Sequence, residues 1–294
     1  MTVINTNVAA TLTANALTKN ERAMNQAMER LSTGQRINSA GDDAAGLAIS
    51  SKMTSQVNGL NQAVRNVNDA ISMVQTADGA VVEIESMLQR MRELAVQARS
   101  ESNSSTDRAA LDLEFEALDA GINDIAQNTQ WNGVTLLNTD SGKSVVFQVG
   151  ANANQELTVV FQDFNTAAAD SSGGIFEGLD QSALGGTAAT DLASADIGTS
   201  ASNAEAAIAR LDFAIEHVNS HRATLGSVIS RLEYSADNLS NVSQNTSASR
   251  SRVLDADYAT ETTELARTQI IQQAGTAMLS QANQQAQSVL ALLR

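Results

Sequence analysis

Two histidines are the side chains in this sequence best placed to bind a metal ion. His217 and His221 are the only histidines among 294 residues, and they stand four positions apart. Residues at this spacing lie on one face of a helix, where two imidazoles can share an ion such as zinc. No third ligand is indicated, because the chain has no cysteine and no HExxH motif. We therefore expect no metal site and no cofactor.

Other patterns of catalytic chemistry are also missing from the sequence. There is no Walker loop and no GxGxxG motif, and the scattered serines and acids do not define a Ser/His/Asp triad. Adjacent acids such as Asp42 and Asp43, or the pair Glu114 and Glu116, are typical of helix caps and solvated helix faces. The residues therefore favour a protein that is not an enzyme.

Both ends of the chain carry apolar stripes with helical spacing, and we expect the two stripes to pack on each other. Steps of three and four residues place the members of each stripe on one helix face. The N-terminal stripe is Val8, Leu12, Ala16, Met24, Ala27, Met28 and Leu31. The C-terminal stripe is Ile271, Ala274, Met278, Ala282, Ala286, Val289 and Leu293, with Leu290 beside it. Such ends indicate a protein that polymerises through them.

Composition supports long helices and excludes some partners. Proline is absent, so the strongest helix breaker is missing from the whole chain. The formal net charge is −15, and residues 101–200 hold fifteen acidic but only two basic side chains. An acidic centre disfavours nucleic acid or anionic lipid as a partner. No run of eighteen apolar residues exists, so we expect no membrane insertion.

Three further helices are predicted between the ends. Heptad spacing from Met53 to Ala98 predicts a long helix with one phase slip near Ala77 to Gly79. A helix about half as long should follow, with Ser105 or Thr106 as its N-cap and its end near Asn128. Another heptad register runs from Ile208 to Leu239, extrapolates to Val253 and predicts a second long helix. The charged Arg222 lies in its seam, and we expect its guanidinium to extend outward.

Alternating apolar residues predict two or three short strands between Trp131 and Phe161. The fold class is therefore mainly α: a long antiparallel helical coiled-coil rod built from N- and C-terminal arms, with short β-hairpins in the middle. We divide it into three parts. Residues 1–44 and 254–294 are inner core helices, 45–165 and 203–253 are the rod with its hairpins, and 166–202 are a reduced central or outer segment.

The first helix should run to Thr33 and end at Gly34, which can take the left-handed position after a helix, and a joint from Gln35 to Gly46 should follow. The segment Glu29–Gly46 covers this joint, reads ERLSTGQRINSAGDDAAG and resembles bacterial flagellin. Further similar blocks span both arms; they are Leu88–Gln97, Asn132–Gly133, Gln148–Asn152, Asp255–Glu261 and Gln272–Gly275. The resemblance implies a structural subunit of the hollow, helical flagellar filament used for swimming motility. It implies secretion by the flagellar type III export apparatus and an extracellular location in the bacterial flagellum.

The resemblance also implies partners. These are other copies of the chain, an export chaperone that holds the terminal helix, the filament cap and the hook–filament junction proteins. The expected polymer core residues are Val8, Leu12, Met24, Met28, Leu31, Ile271, Met278, Val289, Leu290 and Leu293.

Beside the core positions of the long helix, Arg90, Leu94 and Gln97 form a neighbouring stripe, and Leu94 is a large apolar residue just off the seam. On spacing alone, this flank packs on the third helix or on a neighbouring subunit. The segment Gln89–Gln97 is similar to the flagellin epitope of the flagellin-sensing Toll-like receptor of vertebrates, and Glu114 matches its partner position. The resemblance thus implies a receptor contact and subunit contact made by Gln89, Arg90, Leu94, Gln97 and Glu114.

The sequence is also compatible with three other classes of protein. The heptads are compatible with an intracellular coiled coil, although terminal stripes rich in Ala and Gln do not suit a tight dimer seam. A secreted ligand or adhesin could use the rod to present its acidic centre. Within the family, the hook–filament junction protein shares the two-arm arrangement.

Overall fold

The computed structural model describes residues 7–138, 143–164, 197–198 and 200–292, with side chains except at 201 and 285–292. These residues form five helices and two two-stranded antiparallel sheets, which confirms the mainly α prediction. The helices are α1 (Val8–Thr33), α2 (Ala44–Arg99), α3 (Ser105–Asn128), α4 (Ala201–Leu254) and α5 (Tyr258–Leu292). The strands are β1 (Gln130–Trp131), β2 (Val134–Thr135), β3 (Lys143–Gln148) and β4 (Glu156–Phe161). No helix in the described ranges is long and apolar enough to cross a membrane.

The chain divides into two compact units. Unit 1 comprises Met1–Asn58 and Ser243–Arg294, and unit 2 comprises Gly59–Val242. Helices α1 and α5 belong to unit 1, whereas α3 and the four strands belong to unit 2. Helices α2 and α4 contribute residues to both units.

The core of unit 2 follows the predicted heptads. In α2, every seam position from Val81 onward is fully buried, and Val67 and Val74 are buried before the phase slip. Helix α3 contributes Phe115 and Ile122 to the same cluster. Helix α4 contributes Leu211, Val218, Leu225 and Leu232, all fully buried. The apolar spacing therefore identified the main seam positions of this core.

The larger hairpin covers part of that core with one face. Strands β3 and β4 pair from Lys143 opposite Phe161 to Gln148 opposite Glu156. Val159 and Phe161 are buried, while Val146 and Val160 on the other face are about half exposed. This alternation confirms the predicted period of two. The predicted loop or small lobe from Thr166 to Ser202 lies largely outside the described residues.

Local hydrogen bonds set the helix ends. Gly34 ends α1 as predicted: its φ is 71°, and its N–H bonds to the Arg30 carbonyl. The prediction of Ser105 or Thr106 as the cap of α3 is wrong, because Ser104 holds that position. Asp107 stands three residues later and completes a capping box, and hydrogen bonds from the Ser104 hydroxyl and N–H lower the pKa of Asp107.

The sequence suggested that the guanidinium of Arg222 extends outward from the seam. In the structure this guanidinium pairs with two acidic side chains. Its guanidinium lies 2.5 Å from Glu85 and 3.3 Å from Asp78, both on α2. The hydrogen bond with Glu85 is the main cause that raises the pKa of Arg222. Since the Glu85 side chain is only 16% exposed, the arginine offsets the cost of holding that carboxylate away from water.

Candidate functional site

The two terminal helices form an antiparallel pair within unit 1. Side-chain hydrogen bonds and one ion pair fix which residues lie opposite each other. These contacts join Asn7 to Ala282 (3.2 Å), Asn20 to Thr268 (2.8 Å), Arg30 to Glu261 (3.1 Å) and Tyr258 to Leu31 (2.9 Å). The predicted pairing of the chain ends is therefore correct.

The face that α1 and α5 use for this pairing is more polar than we expected. Asn20 and Thr268 are buried between the helices, and the Asn20 amide donates to the Thr268 carbonyl. The Glu261 side chain is only 10% exposed and pairs with Arg30. The sequence contained a signal of this face, since Asn20 stands at the four-residue step between Ala16 and Met24.

Because polar side chains share that interface, much of the two predicted apolar stripes is left in water, so the prediction that the ends pack through these stripes holds only in part. Met24 and Leu31 are half-buried, and Ala27 is buried. In the described parts of α1 and α5, the large aliphatic and methionine side chains that remain exposed are Val8 (64%), Leu12 (70%), Met28 (52%), Ile270 (66%), Ile271 (42%) and Met278 (60%). We call these six residues the exposed terminal set. Ile270 was missed because it lies outside the predicted stripe.

Three of the expected polymer core residues are described less fully. Val289 and Leu290 lie within α5, but their side chains are not among those described. Leu293 lies outside the described residues.

The segments that join the terminal helices to the rest of the chain are held together by backbone hydrogen bonds. The Arg36 N–H donates to the Leu254 carbonyl at 2.7 Å, and the Ala256 N–H donates to the Gly34 carbonyl at 3.0 Å. The Arg36 guanidinium also donates to the Val253 carbonyl at 2.8 Å. These bonds make the two joints a single paired structure.

Asp42 organises the remainder of the N-terminal joint. Its carboxylate accepts hydrogen bonds from the N–H groups of Asn38 and Ser39 and from the Ser39 hydroxyl, and the Gln26 amide reaches it from α1. The bonds from Ser39 are the main cause that lowers the pKa of Asp42. The carboxylate thus stabilises a turn, as expected, rather than serving catalysis.

Arg90 and Glu114 meet across α2 and α3. The Arg90 Nε and Nη2 lie 3.1 and 2.9 Å from one oxygen of Glu114, and its Nη1 lies 2.8 Å from Glu93. Arg90 and Glu114 are each about half exposed, and Gln89 and Gln97 are exposed as well. Hydrogen bonds that Arg90 donates to the two carboxylates, first to Glu93 and then to Glu114, raise the pKa of Arg90. Glu93 was not among the predicted site residues, although it stands three positions from Arg90.

Leu94 is the exception among the expected receptor residues. It is 1% exposed and belongs to the core of unit 2, so its side chain is not available for the receptor contact that the resemblance implied. Helix α2 buries Met91, Leu94, Ala95 and Ala98 together, an arc wider than one heptad seam. The heptad pattern predicts one buried seam along α2, but this part of the helix is covered on more than one side.

The two histidines lie in different environments on α4. The His217 ring is exposed and lies 4.2 Å from the Phe213 ring. His221 is buried, with its ring 5.6 Å from Phe164, and its Nε2 has no hydrogen-bond partner within the described part of the chain. Burial is the main cause that lowers the pKa of His221, and Asp78 acts in the opposite direction. Among the described residues, no group of three or more His, Cys, Asp or Glu side chains could hold a metal ion.

Comparison with known proteins connects these features to one family. Residues 4–141 match the family model described as "Bacterial flagellin N-terminal helical region", and residues 208–293 match "Bacterial flagellin C-terminal helical region". A flagellin of Halalkalibacterium halodurans is 46% identical over 92% of this chain and 91% of its own length. A flagellin of Bacillus subtilis is 42% identical over 99% of both chains.

A more distant relative differs in length. Polar flagellin F of Vibrio parahaemolyticus is 35% identical over 99% of both chains, but its alignment runs over 374 positions. That relative therefore carries residues that this chain of 294 lacks. The two family matches and the relatives aligned over nearly their full length identify this chain as a member of the bacterial flagellin family.

Proposed function

We propose that this chain polymerises into the helical, hollow filament of a bacterial flagellum through the exposed terminal set. As a flagellin, it is a structural filament protein rather than an enzyme. The observation that supports the proposed surface is the exposure of six large apolar side chains on α1 and α5, although these helices already pack on each other. Exposed apolar residues concentrated in this way are typical of interaction surfaces. Contacts between copies that do not close into a ring build an open helical filament.

The energetics of this surface favour assembly. Fully burying a Val, Leu, Ile or Met side chain contributes about 1.5–3 kcal/mol, and these six side chains are roughly half exposed in the single chain. Burying the remainder would contribute on the order of 5 kcal/mol per subunit, before the cost of ordering. Val289, Leu290 and Leu293, whose side chains the structure does not describe, stay predicted polymer core residues on the basis of the sequence.

A charge on this surface should block filament growth. Leu12→Asp places a carboxylate where an apolar contact is proposed, and desolvating that carboxylate would oppose addition of the subunit. Tyr234→Asp is the matched control, because Tyr234 is 76% exposed but lies on α4 in unit 2. We expect electron microscopy of seeded growth to show filaments from the control and none from Leu12→Asp. Normal filaments from a correctly folded Leu12→Asp variant would contradict the proposed surface.

The same exposed side chains explain why partners would be needed before assembly. In this proposal, a cytoplasmic export chaperone covers the apolar side chains of α5 until the chain enters the type III export apparatus. The cap then acts at the growing end of the extracellular filament, and the hook–filament junction proteins connect its base. These partners are inferred from the resemblance to flagellins.

A second role concerns the unassembled subunit. We propose that Gln89, Arg90, Gln97 and Glu114 bind the flagellin-sensing Toll-like receptor of vertebrates. The observation that favours this role is the half-exposed Arg90–Glu114 pair, which presents a fixed guanidinium on the surface of unit 2. Leu94 supports α2 from beneath rather than contacting the receptor, since it is buried.

Arg90→Ala tests the receptor role without removing a core side chain. Truncation of an interfacial arginine commonly weakens binding by about tenfold or more. Arg92→Ala is a close control, because Arg92 is similarly exposed but pairs with Asp212 on α4. We expect surface plasmon resonance to show weaker receptor binding for Arg90→Ala alone. Equal affinities for the two variants would contradict this role.

A further inference from the structure

Two methionines of the terminal helices are more than half exposed to water. Met28 on α1 is 52% exposed and Met278 on α5 is 60% exposed. By contrast, Met73 and Met91 in unit 2 are buried, with 6% and 0% exposure. An oxidant in solution therefore has access to the first two thioethers but not to the second two.

Both exposed methionines lie in the surface proposed for assembly. Asn7 lies opposite Ala282 and Asn20 lies opposite Thr268, so Met278 is at the level of Leu12 along the antiparallel pair. Met28 lies near the other end of the pair, close to the level of the Arg30–Glu261 ion pair. Assembly through the exposed terminal set would transfer both sulfur atoms from water to an apolar contact.

Oxidation would change the polarity of that contact. A sulfur lone pair attacks one oxygen of hydrogen peroxide and the O–O bond breaks; sulfur gains one oxygen atom and water is released. The thioether is thereby oxidised by two electrons and the peroxide is reduced by two. The sulfoxide is a polar hydrogen-bond acceptor, and burying it among apolar side chains without a donor is unfavourable.

We propose that Met28 and Met278 form a redox modification site, at which oxidants of the peroxide class convert the unassembled subunit into a form that cannot join the filament. The inference rests on the proposed assembly through the exposed terminal set. The fold of the subunit is preserved, because neither side chain is part of the buried core. Methionine sulfoxide reductases reverse the modification, since they act on accessible sulfoxides.

The test uses the purified full-length monomer and hydrogen peroxide. After a graded treatment, peptide mass spectrometry should find sulfoxide at Met28 and Met278 while Met73 and Met91 remain thioethers. Far-UV circular dichroism should be unchanged, and the critical concentration for seeded growth should rise by about tenfold or more. Treatment with both stereospecific methionine sulfoxide reductases should restore growth. The variant Met28→Leu/Met278→Leu keeps the apolar volume and should grow equally well before and after peroxide.

Each contrary outcome has a defined meaning. Growth within about twofold of normal by a monomer oxidised at both positions would overturn the inference. Equal loss of growth by the treated leucine variant would do the same, because oxidation elsewhere would then be responsible. If the leucine variant grows poorly before treatment, rescue of the oxidised wild-type monomer by the reductases decides the matter, and failure of rescue overturns the inference.

One further variant separates this inference from the proposed function. Untreated Met278→Asp should not grow if the exposed terminal set is the assembly surface. If Met278→Asp is blocked but oxidised wild type grows, only the redox inference fails. If Met278→Asp grows normally, the proposed assembly surface fails instead.

Discussion

Replacing Leu94 by alanine is the sharpest test of the core that supports the proposed receptor contact. Leu94 is 1% exposed and lies in the cluster shared by α2, α3 and α4. Truncating a buried leucine lowers the free energy of unfolding by about 2–5 kcal/mol. This cost is the sum of the lost transfer free energy and the cost of the cavity that remains. We expect about 3 kcal/mol here, near the middle of that range.

The expected change in the midpoint of thermal unfolding follows from the size of the unit. For 150–250 residues, 1 kcal/mol shifts this midpoint by about 2–4 °C, so Leu94→Ala should lower it by about 6–12 °C. Domains are commonly stable by about 5–15 kcal/mol, so the variant should still fold at room temperature. Circular dichroism at 222 nm follows the transition, and urea unfolding with an unchanged m-value would show that only stability changed.

Val96→Ala is the matched control for this measurement. Val96 lies two positions away on α2 and is 50% exposed, so its truncation should change the free energy of unfolding by no more than about 0.5 kcal/mol. Equal destabilisation by the two variants would refute the placement of Leu94 in the core. Receptor binding by Leu94→Ala is informative only at temperatures where the variant remains folded.

Three other predictions concern charge, protonation and close packing. Arg222→Met leaves two acidic partners on α2 unpaired and should lower the stability of unit 2 by about 2 kcal/mol, a figure reduced for the partial exposure of Arg222. Arg92→Met breaks an exposed pair and should shift the thermal midpoint by no more than about 1 °C; equal shifts by the two variants would contradict this prediction. Because burial lowers the pKa of His221, its contribution to stability is present above the ordinary value of 6.5 and is lost as the pH falls below it. Urea unfolding from pH 7 to about 5 should show a weaker pH dependence in His221→Phe than in wild type, and an unchanged dependence would show that other groups cause it. Gly46→Ala would place a Cβ 2.6 Å from the buried Ile37 side chain and should cost about 1–3 kcal/mol, seen as earlier proteolysis of the N-terminal joint; unchanged proteolysis would mean that Ile37 moves aside easily.

The sequence predicted the elements that depend on local periodicity and caps. The heptads of α2 and α4 identified buried positions such as Val81 and Leu225, because a regular apolar repeat leaves a helix with one buried face. Gly34 marked the end of α1, because glycine adopts positive φ without steric cost. Alternation between Lys143 and Phe161 likewise identified the larger hairpin.

The errors arose where tertiary contacts decide which helix face is buried. The two terminal stripes were expected to pack on each other, but Asn20, Thr268 and the Arg30–Glu261 pair share the interface, and Leu12 and Met278 remain exposed. Leu94 is buried because α2 is covered on more than one side, which the period of one helix does not reveal. Arg90 and Glu114 lie together on the surface of unit 2, and this pairing came from the resemblance rather than from helical periodicity.

The buried amide of Asn20 has a consequence for how accurately the subunit presents its surface. An apolar seam between two helices tolerates sliding by one turn, but a slip of about 5.4 Å would take the Thr268 carbonyl away from the Asn20 amide and would also separate Arg30 from Glu261. These contacts therefore fix the axial position of α1 along α5. In a filament, an axial shift of α1 along α5 would be repeated in every copy. A fixed axial position would therefore keep the spacing between Leu12 and Met278 the same in every subunit of the filament.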